Sequence, residues 1–150
     1  MDNKEFSKEL EKRTRKFAVR IILLSTALPN TSEGRVIRNQ ITKSGTSIGA
    51  NYRESNRARS KPDFKNKIKI CESEASETQY WVEVIVEAKW LSWEKVNSKN
   101  ITLTLGILVH FSHFKLGFGV SLVERSAERL RIYRTMDIAS QGQLSGFLLY

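Results

Sequence analysis

The first two thirds of the chain predict an all-α fold. Three observations carry that reading. Apolar residues recur at steps of three and four through three successive segments, and charged residues cover the opposite faces. The connectors between the segments hold the chain's only two prolines. Beside them stand the hydroxyl and acidic residues that start helices.

The first segment spans residues 4–28. Phe6, Leu10, Phe17, Ile21, Leu24 and Leu28 form its stripe, with Thr14 in one slot. Pro29 ends it, because the residue before a proline is pushed out of the helical region. Asn30, Thr31 and Ser32 supply turn and cap chemistry, and Glu33 suits the positive end of the next helix.

The second segment, Gly34 to Asn56, is the stretch around which the rest is organised. Ile37, Ile41, Ser44/Gly45, Ile48 and Tyr52 share one face. Arg35, Arg38, Lys43 and Arg53 lie mostly off it. Gly45 and Gly49 each cost about 1 kcal/mol in helix propensity against alanine. Glycines four apart strip one face bare, so this helix reads as built to be packed against by another helix.

Arg57 to Asp63 is the second connector. Ser60-x-x-Asp63 resembles a capping box, and Pro62 falls in the first turn, where its missing N–H costs nothing. The third segment runs from about Lys61 to Trp93. One seam reads Phe64, Ile68, Cys71, Ala75, Thr78, Val82, Ile85. A second reads Ile70, Glu74, Glu77, Trp81, Val84, Ala88, Leu91. A helix in a lone bundle needs one buried face. The extra apolar arc, with Trp81, Val84 and Ala88 on it and Trp90 nearby, predicts a second packing surface against another subunit.

The character changes after about Asn97. Residues 101–123 carry one charge, Lys115, contain three glycines, and read by propensity as strand or buried irregular chain. Residues 124–134 regain a helical look. The division expected is therefore 1–98, holding three regular helices, and 99–150, an atypical segment that does not form a regular fourth helix. The abrupt break near Asn97 to Ile101 predicts a frameshift or a fusion to unrelated sequence.

At 150 residues the chain has the size of one domain, with 40% hydrophobic and 27% charged residues, a globular balance. Net charge is +9 and the pI near 9.8. That surplus suits an acidic partner, nucleic acid first, or else a basic surface that serves solubility. Cys71 is the single cysteine, which excludes an intramolecular disulfide and a cysteine-based zinc site and fits a reducing cytoplasm. The charged N-terminus has no signal-peptide core, and no apolar run before residue 100 approaches a membrane span.

Three blocks carry a resemblance: RNQITKSGTSIGANYRESN (38–56), SKPDFKNKIKI (60–70) and EASETQYWVE (74–83). In this order they resemble the bacterial four-helix-bundle family of 23S rRNA intervening-sequence proteins, often labelled ribosomal proteins. The likeness runs from about Phe17 to Glu94. It implies an up-down four-helix bundle that assembles into a ring, typically a homopentamer, with no established enzymatic activity. The accessory protein of diversity-generating retroelements looks like a relative. It engages nucleic acid and a reverse transcriptase through a basic pentameric surface. The resemblance also implies an amphipathic fourth helix, from which residues 99–150 depart.

Lys43-Ser44 before Gly45-x-x-x-Gly49 is not a phosphate loop, since the order and the strand context are missing. Glu74 and Glu77 lack the histidine and the matching carboxylates of a metal bundle. They are expected to pair with Arg38, Arg53 or Arg57 across the bundle or between subunits. His110 and His113 have no third ligand nearby, Cys71 reads as a buried thiol, and no catalytic set or cofactor motif is present.

The basic set is the candidate site. Arg53, Arg57, Arg59, Lys61, Lys65 and Lys69, with Lys67 among them, crowd one inter-helix loop against Glu54 and Asp63. A cyclic oligomer would multiply them into a basic ring that holds phosphate backbones without reading sequence. The expectation is a non-enzymatic, oligomeric, cytoplasmic bundle protein that binds RNA or DNA. The competing class is a protein-interaction adaptor whose charge serves docking or solubility.

Overall fold

Pro29 closes the first segment, but the helix stops short of it. The computed structural model describes residues 3–98, which form α1 (Asn3–Ser25), α2 (Ser32–Ser55), α3 (Lys61–Glu87) and α4 (Trp93–Ser98). There is no strand among the described residues. Residues 99–150, and with them the expected atypical segment, frameshift and histidines, lie outside the described residues.

α1 ends three residues before the expected Leu28. The Ala27 N–H donates to the Leu24 carbonyl at 3.0 Å and the Leu28 N–H to that of Ser25 at 3.3 Å, a tightened last turn. Leu28 leaves the helix ahead of Pro29 yet stays buried. Arg38 on α2 reaches back over this end. Its Nε donates to the Ser25 carbonyl at 3.1 Å, and one Nη donates to those of Leu28 at 2.9 Å and Pro29 at 3.4 Å. The Ser25 carbonyl ends the helix and those of Leu28 and Pro29 lie just past it, so Arg38 acts as the C-terminal cap of α1.

Thr31 caps α2, its hydroxyl accepting the Gly34 N–H at 3.1 Å. Hydrogen bonds from its own backbone N–H and the Thr31 hydroxyl hold the Glu33 carboxyl below its ordinary range. Gly34 is required here, because a Cβ would lie 2.0 Å from the Pro29 carbonyl oxygen. α3 starts on the expected box. The Ser60 hydroxyl accepts the Asp63 N–H at 3.2 Å, and Asp63 accepts the Arg59 N–H at 3.2 Å.

α3 ends at Glu87, six residues before the expected Trp93. Lys89 adopts φ 58°, the left-handed conformation. The Lys89 N–H donates to the Val86 carbonyl at 2.9 Å and the Trp90 N–H to that of Ile85 at 3.1 Å. That pair of bonds is a Schellman termination with lysine where glycine is usual. The chain then turns into α4, whose Trp93 and Val96 are buried with Leu91 in the main core.

α2 packs against both α1 and α3. The start of α2 meets the end of α1 through Arg38, while its last residues meet the start of α3, so neighbours run up and down. Gly45 receives α1: a Cβ there would stand 2.8 Å from both Cγ atoms of Ile21. One residue earlier, the Ser44 hydroxyl lies 3.0 Å from that of Thr78 on α3, both fully buried. Gly49 is different, since a Cβ would meet Thr14 at 3.4 Å, an ordinary contact. The buried residues of α3 are Ile68, Cys71, Ala75, Thr78, Val82 and Ile85, the first seam, with Phe64 half-buried. Around Phe17, Ile21, Leu24, Ile41, Ile48 and Ile85 forms the main core; Leu10, Tyr52, Ile68 and Cys71 form a smaller one at the other end.

The two glycines of α2 predict opposite outcomes in urea unfolding. Gly45→Ala lowers stability by about 1–2 kcal/mol, because overpacking against Ile21 exceeds the propensity gained. Gly49→Ala leaves stability unchanged or raises it by up to about 1 kcal/mol. Lys89→Gly raises it by about 0.5–1 kcal/mol, the left-handed strain being relieved.

Candidate functional site

The antiparallel order brings the N-terminal half of α1, the C-terminal half of α2 and the start of α3 to one end of the bundle. Residues 3–20 and 46–75, which make up that end, carry fourteen Lys and Arg against seven Asp and Glu. Residues 21–45 and 76–98, the other end, carry five against five. The whole of the described positive surplus thus sits at one end.

Arg53, Arg57, Arg59, Lys61, Lys65 and Lys69 are all exposed. Lys61, Lys65 and Lys69 recur every four residues, one stripe along the start of α3. Their two acidic neighbours are occupied elsewhere. Glu54 accepts a hydrogen bond from Lys67, which raises the Lys67 pKa, and Asp63 is held by the α3 cap. None of the six side chains makes an ion pair or hydrogen bond among the described residues. Beneath them, Phe6, Tyr52 and Phe64 face inward on the small core. This end therefore presents cations on its surface and turns its aromatics toward the small core.

A groove of about 340 Å³ opens between α1 and α2 at the same end. Lys8, Lys12 and Arg15 line its α1 wall, Arg53 its α2 wall, and Ala18, Thr46, Gly49 and Ala50 are among the small residues between. Glu11 is its one carboxylate, and it accepts a hydrogen bond from the Asn56 amide at 2.8 Å. In the sequence alone the α1 cations read as the solvated face of a helix. Their spacing of four and three was the available signal, since it aligns them along one line.

The expected pairing of Glu74 and Glu77 with Arg38, Arg53 or Arg57 is not made within the chain. Arg38 is engaged by the carbonyls that end α1, Arg53 lines the groove, and Arg57 stands in the loop. Glu77 instead accepts the Trp81 indole N–H at 3.2 Å. Burial and then the Glu77 charge push the Glu74 pKa up, with Lys43 opposing. Trp81 and Trp90, read as free for a partner, pack in part against the main core. Val84 is half-buried and Ala88 exposed at the end of α3.

Cys71 is buried and its thiol pKa is pushed up to about 12 by desolvation, so it stays protonated and unreactive at neutral pH. No group of three or more metal-ligating side chains occurs among the described residues. No described helix is long and apolar enough to cross a membrane.

The comparisons with known proteins agree with this architecture. The family model described as 23S rRNA-intervening sequence protein matches residues 8–104. A crystal structure of a protein of unknown function from the S23 ribosomal protein family of Bacteroides thetaiotaomicron is 37% identical, with a TM-score of 0.62. That likeness covers 69% of this chain and 94% of the other. No curated protein shows significant similarity. Both the family match, over well more than half of the residues, and the solved relative lead to one conclusion: the chain belongs to the 23S rRNA-intervening sequence protein family.

Proposed function

We propose that the protein is a non-enzymatic bundle that binds the phosphate backbone of RNA or DNA through its basic end. The observation that carries this reading is the concentration of unpaired, exposed cations, Arg53, Arg57, Arg59, Lys61, Lys65 and Lys69, at one end of a bundle whose other end is close to neutral. A surface of that kind gains affinity by releasing counterions from the phosphates, independently of sequence. The inward-facing aromatics support backbone contact over base readout.

Self-association belongs to the same reading. The second seam of α3, with Trp81, Val84 and Ala88, is only partly covered among the described residues, and Tyr80 beside it is 56% exposed. A homopentamer joined along this seam would repeat the basic end around an axis and multiply its phosphate contacts. The second reading, an adaptor for a reverse transcriptase or another protein, is favoured by Val19, Ile22, Leu23 and Val36. These apolar side chains are exposed at the less charged end.

Fluorescence anisotropy with labelled 20-residue RNA and DNA strands of arbitrary sequence checks the first reading. Binding is expected at ~50 mM salt with little preference among sequences, and a steep loss of affinity by ~200 mM. Absence of binding at the lower salt removes the nucleic-acid reading and leaves the adaptor. Native mass spectrometry checks assembly. A pentamer that Val84→Glu reduces to monomer fits the seam, and a wild-type monomer contradicts it.

A further inference from the structure

The loop cations are one part of the basic end, and the groove between α1 and α2 is the other. Lys8, Lys12 and Arg15 are exposed along one line of α1, about 10 Å from first to last at the rise of a helix. That length matches about three successive phosphates of one strand. Arg53 faces them from α2 and also belongs to the loop set, so the two groups are continuous.

The internal partners of these cations are weak. Lys12 lies 3.9 Å from Glu9 with both side chains about half exposed, the kind of surface pair that contributes little. Glu11 is tied to Asn56. Gly49 adds an independent observation. Packing requires Gly45 but does not require Gly49, whose added Cβ would make only an ordinary contact. A helix-interior glycine that packing does not need costs about 1 kcal/mol. At the floor of a groove it leaves room for a ligand to approach the backbone.

From these features we infer that the α1–α2 groove is a track for a phosphodiester backbone. Lys8, Lys12 and Arg15 contact phosphates from one wall and Arg53 from the other, above a floor kept low by Gly49. The backbone belongs either to a single strand or to the near strand of a duplex. The inference rests on the nucleic-acid reading above and extends it from the loop onto α1.

Anisotropy titrations over a salt series, with a 20-nucleotide single strand and a 20-base-pair duplex, test it. The variants are Lys8→Gln/Lys12→Gln/Arg15→Gln in the groove and Arg59→Gln/Lys61→Gln/Lys65→Gln in the loop. All six positions are exposed, and far-UV circular dichroism checks that both proteins fold. The groove variant is expected to flatten the slope of log affinity against log salt by about two to three on at least one probe, and to weaken binding ~10-fold or more at 50 mM salt. Glu11→Gln, which keeps an acceptor for Asn56, is expected to tighten binding at least ~2-fold; a purely structural Glu11 gives no such gain. If the groove variant keeps wild-type slope and affinity on both probes while the loop variant loses them, the groove is not the track and the loop reading stands. If the wild-type protein binds neither probe, both readings fall.

Discussion

Ile21 occupies the space that any side chain at position 45 would need. This contact fixes how close α1 comes to α2, and one residue earlier Ser44 meets Thr78 and fixes α3. Two adjacent small residues thus hold both neighbours of the central helix. Because interiors are close-packed, such a contact admits few alternative arrangements. Arg38 extends the same constraint to the end of α1, since its guanidinium holds the carbonyl of Ser25, its last residue, and those of Leu28 and Pro29 just past it. The antiparallel register that follows sets which charges share an end.

That register turns an ordinary basic composition into a polar molecule. Helix by helix, the cations look scattered. Folded, the first half of α1, the last half of α2 and the start of α3 stand side by side, and their charges add. Glu77, Glu83 and Glu87 of α3 fall past Ala75, at the other end. The small core of Leu10, Tyr52, Ile68 and Cys71 supports the basic end from within. Tyr52 is nearly buried there, its hydroxyl close to the Ser7 and Asn56 side chains but without a well-formed hydrogen bond, and burial raises its pKa. The aromatics of this end are committed to packing, which leaves the surface to charged side chains.

Much of the fold was legible as periodicity. The buried positions of α3 are those of its first apolar seam from Ile68 to Ile85, because a helix wedged against one partner buries one line of residues. Helix ends were less legible. Thr31 and Ser60 announce their caps through residue type, whereas Lys89 takes a left-handed conformation that nothing in its chemistry signals. Arg38 misled for a related reason. A charge near an acidic seam suggests an ion pair, but the bare carbonyls left by Pro29 lay within its reach. The loop cations were legible as a cluster in sequence. Those of α1 were not, because only the antiparallel register brings Lys8, Lys12 and Arg15 beside Arg53.

On the proposed function, one end of the bundle meets the phosphate backbone. Lysine acetylation read by mass spectrometry, with and without a saturating RNA strand, tests it position by position. Lys8, Lys12, Lys61, Lys65 and Lys69 are expected to be protected in the complex while Lys43, Lys89 and Lys95 react as before. Uniform protection, or protection confined to Lys43, Lys89 and Lys95, would contradict it.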